Sequence, residues 1–506
     1  MTAGWIARWI VWLPRVMLVA AASVALFALA WAFALRVWAP FPLEWQEPAM
    51  MEHALRLWAG EGLYVRPSID FAPFPYPPLF YGVGGVMMGV LGESLAALRS
   101  VSVLGVLLVL GALLASLRGA KSSIAGLAAC GWFAATYGWT GFWLDVARVD
   151  SLALGFGAVG FALVLRAEAR CAADGPGTRA AALAFGGGVA SALAVLTKQT
   201  QLGLAVALAM ALFARARTRR AGAAYFAALL GCLLPSVLFL EARSDGLFLW
   251  TTVDLLRGSP FHGPAILGYW TESVWVMGLP LALGVCALVS PAGRPWSPCL
   301  WGGALALLVT GWLGRAHEGG FDNTLLPTAL GSAFAVGAAL RVILSSDDRR
   351  VAPMAAVGVV AAMAMVIQDP RPAIPTAAER SAHAAAAAQV AQLQKQGEVW
   401  QPISAMPATA RGYAHKMAIV DLAKSQEVEA AQRFLSDFTS ALTAKRFAAI
   451  ILDGPPRQLW GDLGSLIEAN YEPAGSLPAE GPGGAVSELK PRTGAGVVPR
   501  LVLLPR

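Results

Sequence analysis

Long apolar stretches recur along the chain, and their length suits a bilayer better than the core of a soluble domain. In order they cover about 16–38, 95–117, 122–143, 150–166, 180–196, 201–215, 222–240, 267–290, 299–314, 322–342 and 351–367. A hydrocarbon core of roughly 30 Å needs about 20 apolar residues of helix. Within lipid, only internally hydrogen-bonded helices or closed barrels satisfy the backbone. Of 506 residues, 57% are hydrophobic and only 14% charged, so an all-α polytopic membrane protein of about eleven transmembrane helices is expected. The first stretch follows a few Arg residues and lacks a small-residue cleavage site, which reads as an uncleaved span. The five cysteines, Cys130, Cys171, Cys232, Cys286 and Cys299, show no metal-type spacing and none lies in the tail, so no disulfide framework is expected.

Basic residues set the orientation. Arg8 and Arg15, Arg118 and Lys121, Arg166 and Arg170, Arg215 to Arg220, Arg294, and Arg341 to Arg350 fall at alternate ends of the spans, so one orientation places every cluster in the cytoplasm. The net charge of +7 is thereby a matter of topology and not of nucleic-acid binding. The alternation requires residues 78–92 to lie along the membrane surface without crossing, and an odd number of spans puts the tail outside. The loops 39–94, 144–150, 197–201, 241–266 and 314–322 then share the outer face. High Ala, Gly and Arg usage suggests a GC-rich bacterial source, hence a bacterial cytoplasmic membrane with a periplasmic tail.

Three regions follow: a transmembrane module over 1–368 with a first outer loop at 39–94, a linker and helix over 369–398, and a soluble α/β domain over 399–506. In the last, VEAAQRFLSDFTSALTAKR has apolar residues at helical spacing, and FAAIILD reads as a short buried strand. Nothing in this tail carries a catalytic signature.

Chemistry-bearing residues concentrate in the outer loops. Glu44 and Glu47 are three residues apart and share one face of a helical turn. Pro48 suits the first turn of a helix, so Glu47 is either a capping acid or a general base for an acceptor hydroxyl. Glu52 and His53 follow on that helix. Asp145, Arg148 and Asp150 bracket a second outer turn, where Arg148 can grip a phosphate or the group can form an internal ion pair that pins helix ends. Lys198 lies alone at an outer span end, against the positive-inside bias, as a phosphate contact or a snorkelling lysine. Arg315 and His317 precede Gly319-Gly320, and Asp322-Asn323 reads as an N-cap. Tyr76 and neighbouring aromatics make a shelf that anchors at the interface or stacks on a sugar. No His spacing calls for a metal, and no cofactor is required, although a divalent ion beside the acids stays open.

These residues resemble the polyprenyl-phosphate-dependent GT-C glycosyltransferases, in particular the branch of the protein O-mannosyltransferases and aminoarabinose transferases. The shared pattern is Glu47, Gly60, Gly62-Leu63-Tyr64, Tyr76-Pro77-Pro78-Leu79, then Arg148 and Asp150, Leu196 to Gln199, and Gly319 to Pro327 with Asn323 inside it. It spans about residues 16–370. The resemblance implies a GT-C-like fold and a sugar donor on a polyprenyl phosphate, with transfer to a lipid, glycan or protein acceptor at the outer face. In that family an acid of the first outer loop, often in an Asp-Glu pair, is catalytic. Here the pair position reads Gln46-Glu47, so either Glu47 or Glu44 takes the role. Arg148, Lys198 and Arg315 are then expected to hold the departing phosphate, with Asp145, Asp150, His53, Tyr64, Tyr76, His317 and Asn323 in support.

Two other functions fit the composition. A flippase or transporter of lipid-linked sugars would show internal repeats and polar mid-membrane segments, neither of which is present in the sequence. An inactive envelope scaffold would be indifferent to the loss of Glu44 or Glu47.

Overall fold

The computed structural model describes residues 2–116, 123–258, 260–274, 278, 282, 297–345, 351–407, 413–424, 428–477 and 488–506. Cys286, Arg118, Lys121, Arg294, Arg349 and Arg350 lie outside them, as does most of the expected span 267–290. Cys130, Cys171, Cys232 and Cys299 are free thiols.

The membrane region is built from α1 (Thr2–Arg36), α2 (Glu47–Trp58), α3 (Leu79–Leu91), α4 (Leu95–Ser116), α5 (Ser123–Ala135), α6 (Val149–Asp174), α7 (Thr178–Thr197), α8 (Leu202–Phe213), α9 (Arg219–Arg243), α10 (Pro298–Ala316), α11 (Leu326–Ser345) and α12 (Val351–Val366). Among the described residues, eight helical segments are long and apolar enough to cross a bilayer. The expected eleven also counted 122–143 and 201–215. Those regions hold shorter apolar helices, Ser123–Ala135 and Gln199–Phe213, and at 1.5 Å per residue neither spans roughly 30 Å unaided. The stretch 79–91 is likewise a short helix, packed on α2 and α4.

Helix α6 is central, lying between α4 and α7, while α1 packs on α5 and α12, and α10 on α8 and α11. The α4–α6 approach depends on Gly105 and Gly155. A Cβ on Gly105 would come within 2.2 Å of the Ser151 carbonyl oxygen, and one on Gly155 within 2.5 Å of the Gly105 oxygen. Small residues allow such backbone contact in a membrane bundle, where no hydrophobic effect drives helices together.

The two ends of the bundle differ in kind. At one, Arg215 and Ser297 reach Glu168, and Arg15 reaches the Leu344 carbonyl. At the other, the end of α1 and the starts of α4 and α6 converge on the segment 36–47. Arg99, fully buried, donates Nε and Nη2 to the two oxygens of Glu47 at 2.8 and 2.7 Å. Its remaining protons go to the carbonyls of Arg36, Val37, Ala39 and Phe41. Beside it, Arg36 binds Asp145 at 2.8 Å, and Tyr137 closes the other oxygen of Asp145 at 2.8 Å.

Beyond the bundle, α13 (Ala377–Gln394) leads into a four-stranded sheet of β1 (Val399–Trp400), β2 (Ala449–Leu452), β3 (Tyr471–Ser476) and β4 (Leu501–Pro505), in the order β1-β2-β4-β3. β1 runs parallel to β2, and the other pairs are antiparallel. Strand alternation assigns the faces. Val399, Ala449, Ile451 and Val502 meet α13, whereas Trp400, Ile450, Leu452 and Leu503 meet α15 (Val428–Thr443) and α16 (Pro456–Asn470). The second face shares one apolar core with Phe71, Phe74 and Tyr81 of the first loop. Arg446 pairs with Asp70 at 2.6 Å and Asp437 accepts from the Ile69 N–H at 2.8 Å, so the sheet sits directly on that loop.

Arg99→Met removes the cation from a buried pair and leaves Glu47 uncompensated, which costs about 3–5 kcal/mol. Arg446→Met breaks two partly exposed pairs, with Asp70 and Glu398, each worth at most about 1 kcal/mol. Thermal unfolding of the detergent-purified variants is expected to separate the two clearly.

Candidate active site

Two carboxylates three residues apart end in different surroundings. Glu47 starts α2, and besides both Arg99 contacts it accepts from the backbone N–H groups of Leu43 and Ala147, each at 2.7 Å. Burial alone would raise its pKa; the Arg99 guanidinium and these N–H donors outweigh burial and hold it below the ordinary carboxylate value. Both its oxygens are engaged, and it is not among the residues that line the cavity beside Glu44. Glu44 is equally buried, but only its Oε2 is used, accepting from the Gln46 N–H at 3.0 Å and Arg148 Nη1 at 3.2 Å. Among the described residues its Oε1 has no hydrogen-bond partner. Burial pushes its pKa up to about 7, with Arg148 opposing and Glu47 adding to the rise.

Glu44 opens into a cavity of ≈ 1330 Å³. At its polar end Arg148, the N-cap of α6, also donates to the Gln46 side chain and to the Tyr76 hydroxyl at 3.0 Å. The rings of Tyr76 and Trp143 flank its guanidinium at 5.7 and 5.9 Å, and its Nε is unpartnered. Lys198, the C-cap of α7, reaches Asp150 Oδ1 at 2.6 Å, an oxygen shared with Asn323 Nδ2 at 3.1 Å. Gln199 ties the carbonyls of Pro75 and Thr252 together across the cavity wall. Toward the other end the lining becomes apolar. Leu202, Val206 and Met210 of α8 face Trp301, Leu305 and Val309 of α10, each row at four-residue spacing and so on one helix face.

The sequence candidates thus divide. Glu44, Tyr76, Arg148, Lys198, His317 and Asn323 line the cavity, and Asp150 holds Lys198 from behind. Asp145 is turned away onto Arg36, so the three charges of the 145–150 turn find three separate ionic partners: Arg36 for Asp145, Glu44 for Arg148 and Lys198 for Asp150. His53 is a satisfied core imidazole. Its Nδ1 bonds the Ala49 carbonyl at 2.7 Å and its Nε2 accepts from the Phe74 N–H at 2.9 Å, and burial lowers its pKa to about 4. Tyr64 is buried and donates to the Tyr76 carbonyl at 2.9 Å. Arg315 is held by Asp322 and the Gly320 carbonyl, both at 3.2 Å, outside the cavity lining. Among the described residues no three His, Cys, Asp or Glu side chains converge in a metal-binding group.

Sequence reasoning passed over Arg36 and Arg99. Each is a basic residue at the span end opposite the basic clusters, and the argument that singled out Lys198 applies equally to both. It also missed the C-terminal segment. The Thr493 N–H donates to the Leu43 carbonyl at 3.0 Å, and its hydroxyl lies 3.1 Å from Arg36 Nη2. Gly494, at φ +77°, presses on both Trp143 and Glu44; a Cβ there would sit 2.8 Å from the Trp143 ring and 3.4 Å from Glu44 Cγ. No local motif announces that contact.

No family model matches the chain, and no curated protein matches it in sequence. Solved structures do match its fold, and those neighbours are GT-C glycosyltransferases, the group to which the resemblance pointed. ArnT from Cupriavidus metallidurans in the apo state superposes with a TM-score of 0.61 at 14% identity, covering 96% of this chain and 97% of that one. The same protein bound to undecaprenyl phosphate gives 0.58 at 13% identity, covering 99% and 98%. An Archaeoglobus fulgidus oligosaccharyltransferase in complex with Zn and sulfate gives 0.54 at 13% identity, covering 90% of this chain and 71% of that one.

Gly494→Ala forces a side chain into left-handed backbone against Trp143 and is expected to destabilise the protein by about 1–3 kcal/mol. Gly475→Ala, with open space around it, is the control, and thermal unfolding of the two variants compares them.

Proposed function

We propose that the chain is a membrane glycosyltransferase that moves a sugar from a polyprenyl-phosphate donor to an acceptor. The observation that carries this is one continuous cavity with Glu44, Arg148 and Lys198 at one end and a double apolar ridge along α8 and α10 at the other. A ligand matching both ends has an anionic head and a long hydrocarbon tail. The ArnT structure holding undecaprenyl phosphate lends the head group and the chain class.

In the proposed reaction the acceptor hydroxyl or amine attacks the anomeric carbon as its bond to the phosphate oxygen breaks, with inversion. Glu44 Oε1, the carboxylate oxygen left without a donor among the described residues, takes the acceptor's proton. Arg148 and Lys198 stabilise the charge that collects on the leaving phosphate. Glu47 is assigned to holding the loop, and Tyr76, Gln46 and Asn323 to orienting the two cations. Arg315, His317, Asp145, His53 and Tyr64 are assigned no chemical step. The positive-inside rule assigns the Arg166, Arg170 and Arg215 end to the cytoplasm, hence the charged end of the cavity and the sheet to the outer, periplasmic side.

A transporter of lipid-linked sugars would bind the same donor without turnover. The assay is therefore release of undecaprenyl phosphate from a radiolabelled undecaprenyl-phosphate sugar by protein in nanodiscs. Because the active form of Glu44 is the deprotonated one, turnover is expected to rise with pH through about 7 and level off above it. Glu44→Gln is expected to lower kcat by about 10²-fold or more and to remove that limb. Arg148→Ala or Lys198→Ala removes a charged hydrogen-bonding group worth about 1.5–3 kcal/mol, roughly ten- to a hundredfold in Kd for undecaprenyl phosphate. Donor binding with no release by the wild type under any acceptor would sink the enzyme reading.

A further inference from the structure

The cavity has a second buried acid that the proposed chemistry does not use. Helix α14 (Lys416–Lys424) belongs to the C-terminal sheet unit, and its Met417 and Asp421 close part of the cavity wall. Both ends of the helix are fastened. Lys416 reaches Asp453, at the end of β2, at 2.7 Å, and Lys424 reaches Glu318, in the loop between α10 and α11, at 2.9 Å. The preceding His415 bonds the Ile403 carbonyl at 2.8 Å and packs on Trp45. Asp421 itself is only 8% exposed and forms no hydrogen bond or ion pair among the described residues. The charges around it are Lys424 on its own helix and Glu318 opposite, and burial, the largest influence, raises its pKa to about 7.

A buried carboxyl without a donor forfeits the solvation it had in water, and native structures rarely leave such a group idle. Here the neighbouring cation, Lys424, is paired with Glu318, so donors for the carboxyl come from what fills the cavity: water in the free protein, and a ligand group that displaces it in the complex. Phosphate oxygens and prenyl carbons carry no donor. Sugar hydroxyls and ammonium groups do.

We propose that Asp421 is a recognition site for a hydroxyl or ammonium group of the sugar handled in this cavity, supplied by the C-terminal unit and distinct from the phosphate end. This rests on the glycosyltransferase reading and adds a determinant of which sugar is accepted. The group belongs either to the sugar of the donor lipid or to an acceptor sugar.

The test uses full-length protein in nanodiscs, as wild type, Asp421→Ala and Asp421→Asn. Bare undecaprenyl phosphate is the first probe, and its affinity is expected to be the same for all three, which also reports that the variants fold. Undecaprenyl-phosphate glucose and undecaprenyl-phosphate glucosamine form the donor arm. Methyl glucoside and methyl glucosaminide, titrated into protein saturated with undecaprenyl phosphate, form the acceptor arm. In one arm Asp421→Ala is expected to weaken sugar binding about tenfold. Asp421→Asn retains most affinity if the partner is a hydroxyl and loses it if the partner is an ammonium. Equal affinity of all three proteins for every sugar probe overturns the proposal. Failure of the wild type to bind bare undecaprenyl phosphate overturns the glycosyltransferase reading instead.

Discussion

The Arg99–Glu47 pair is the constraint on which the outer end of this protein is built. Two opposite charges with no exposed side-chain surface lie where α1, α4 and α6 meet. Ions withdrawn from water cost several kcal/mol each unless nearly every donor and acceptor is matched. The chain meets that demand by coiling residues 36–41 around the guanidinium, so that the carbonyls of Arg36, Val37, Ala39 and Phe41 point at it. Ala147 brings the start of α6 to the same carboxylate. Once this knot is tied, the direction of the loop is set, and Glu44 is delivered to Arg148.

The same geometry separates two chemically identical side chains. Glu47 is saturated by a cation and by peptide N–H groups, which keeps it ionised. Glu44 has one contact to a guanidinium that is shared with Gln46 and Tyr76, and one oxygen without a donor. Divergent environments push the two pKa values apart, a pattern by which folds assign different roles to neighbouring carboxyl groups. The choice between Glu44 and Glu47, open on sequence grounds, becomes a question of which lone pairs are free.

The C-terminal unit is part of this arrangement and not an appendage to it. Its sheet shares an apolar core with the first loop, Thr493 joins the Arg36 cluster, Gly494 supports Trp143 and Glu44, and α14 walls the cavity. Positioning a site from elements more than 400 residues apart in sequence makes the site conditional on the whole chain being folded.

Hydropathy alone determined that this is a helical membrane protein, because lipid leaves the backbone only helices or closed barrels, and continuous apolar runs of about 20 residues fit the helix. It also located the main spans, since each is an unbroken local run. The amphipathic pattern of 428–443 and the apolar run 449–452 were legible for the same reason, both being properties of adjacent residues. The count of spans was less secure: 123–135 and 199–213 are as apolar as true spans but too short, and composition does not register where a helix breaks into a turn. Candidate residues were legible where charge was out of place, as at Arg148 and Lys198. Which of them act together was not. Asp145 and Asp150 sit five residues apart, yet one locks Arg36 and the other Lys198, and Arg315 is turned onto its own loop. Partner choice depends on which helix ends the packing brings within about 3 Å, a distance scale at which hydrogen bonds exist or do not. Only the tertiary structure sets that, and it did so through contacts such as Arg99 to Glu47 and Gly494 to Trp143, whose members carry no mark of each other in the sequence.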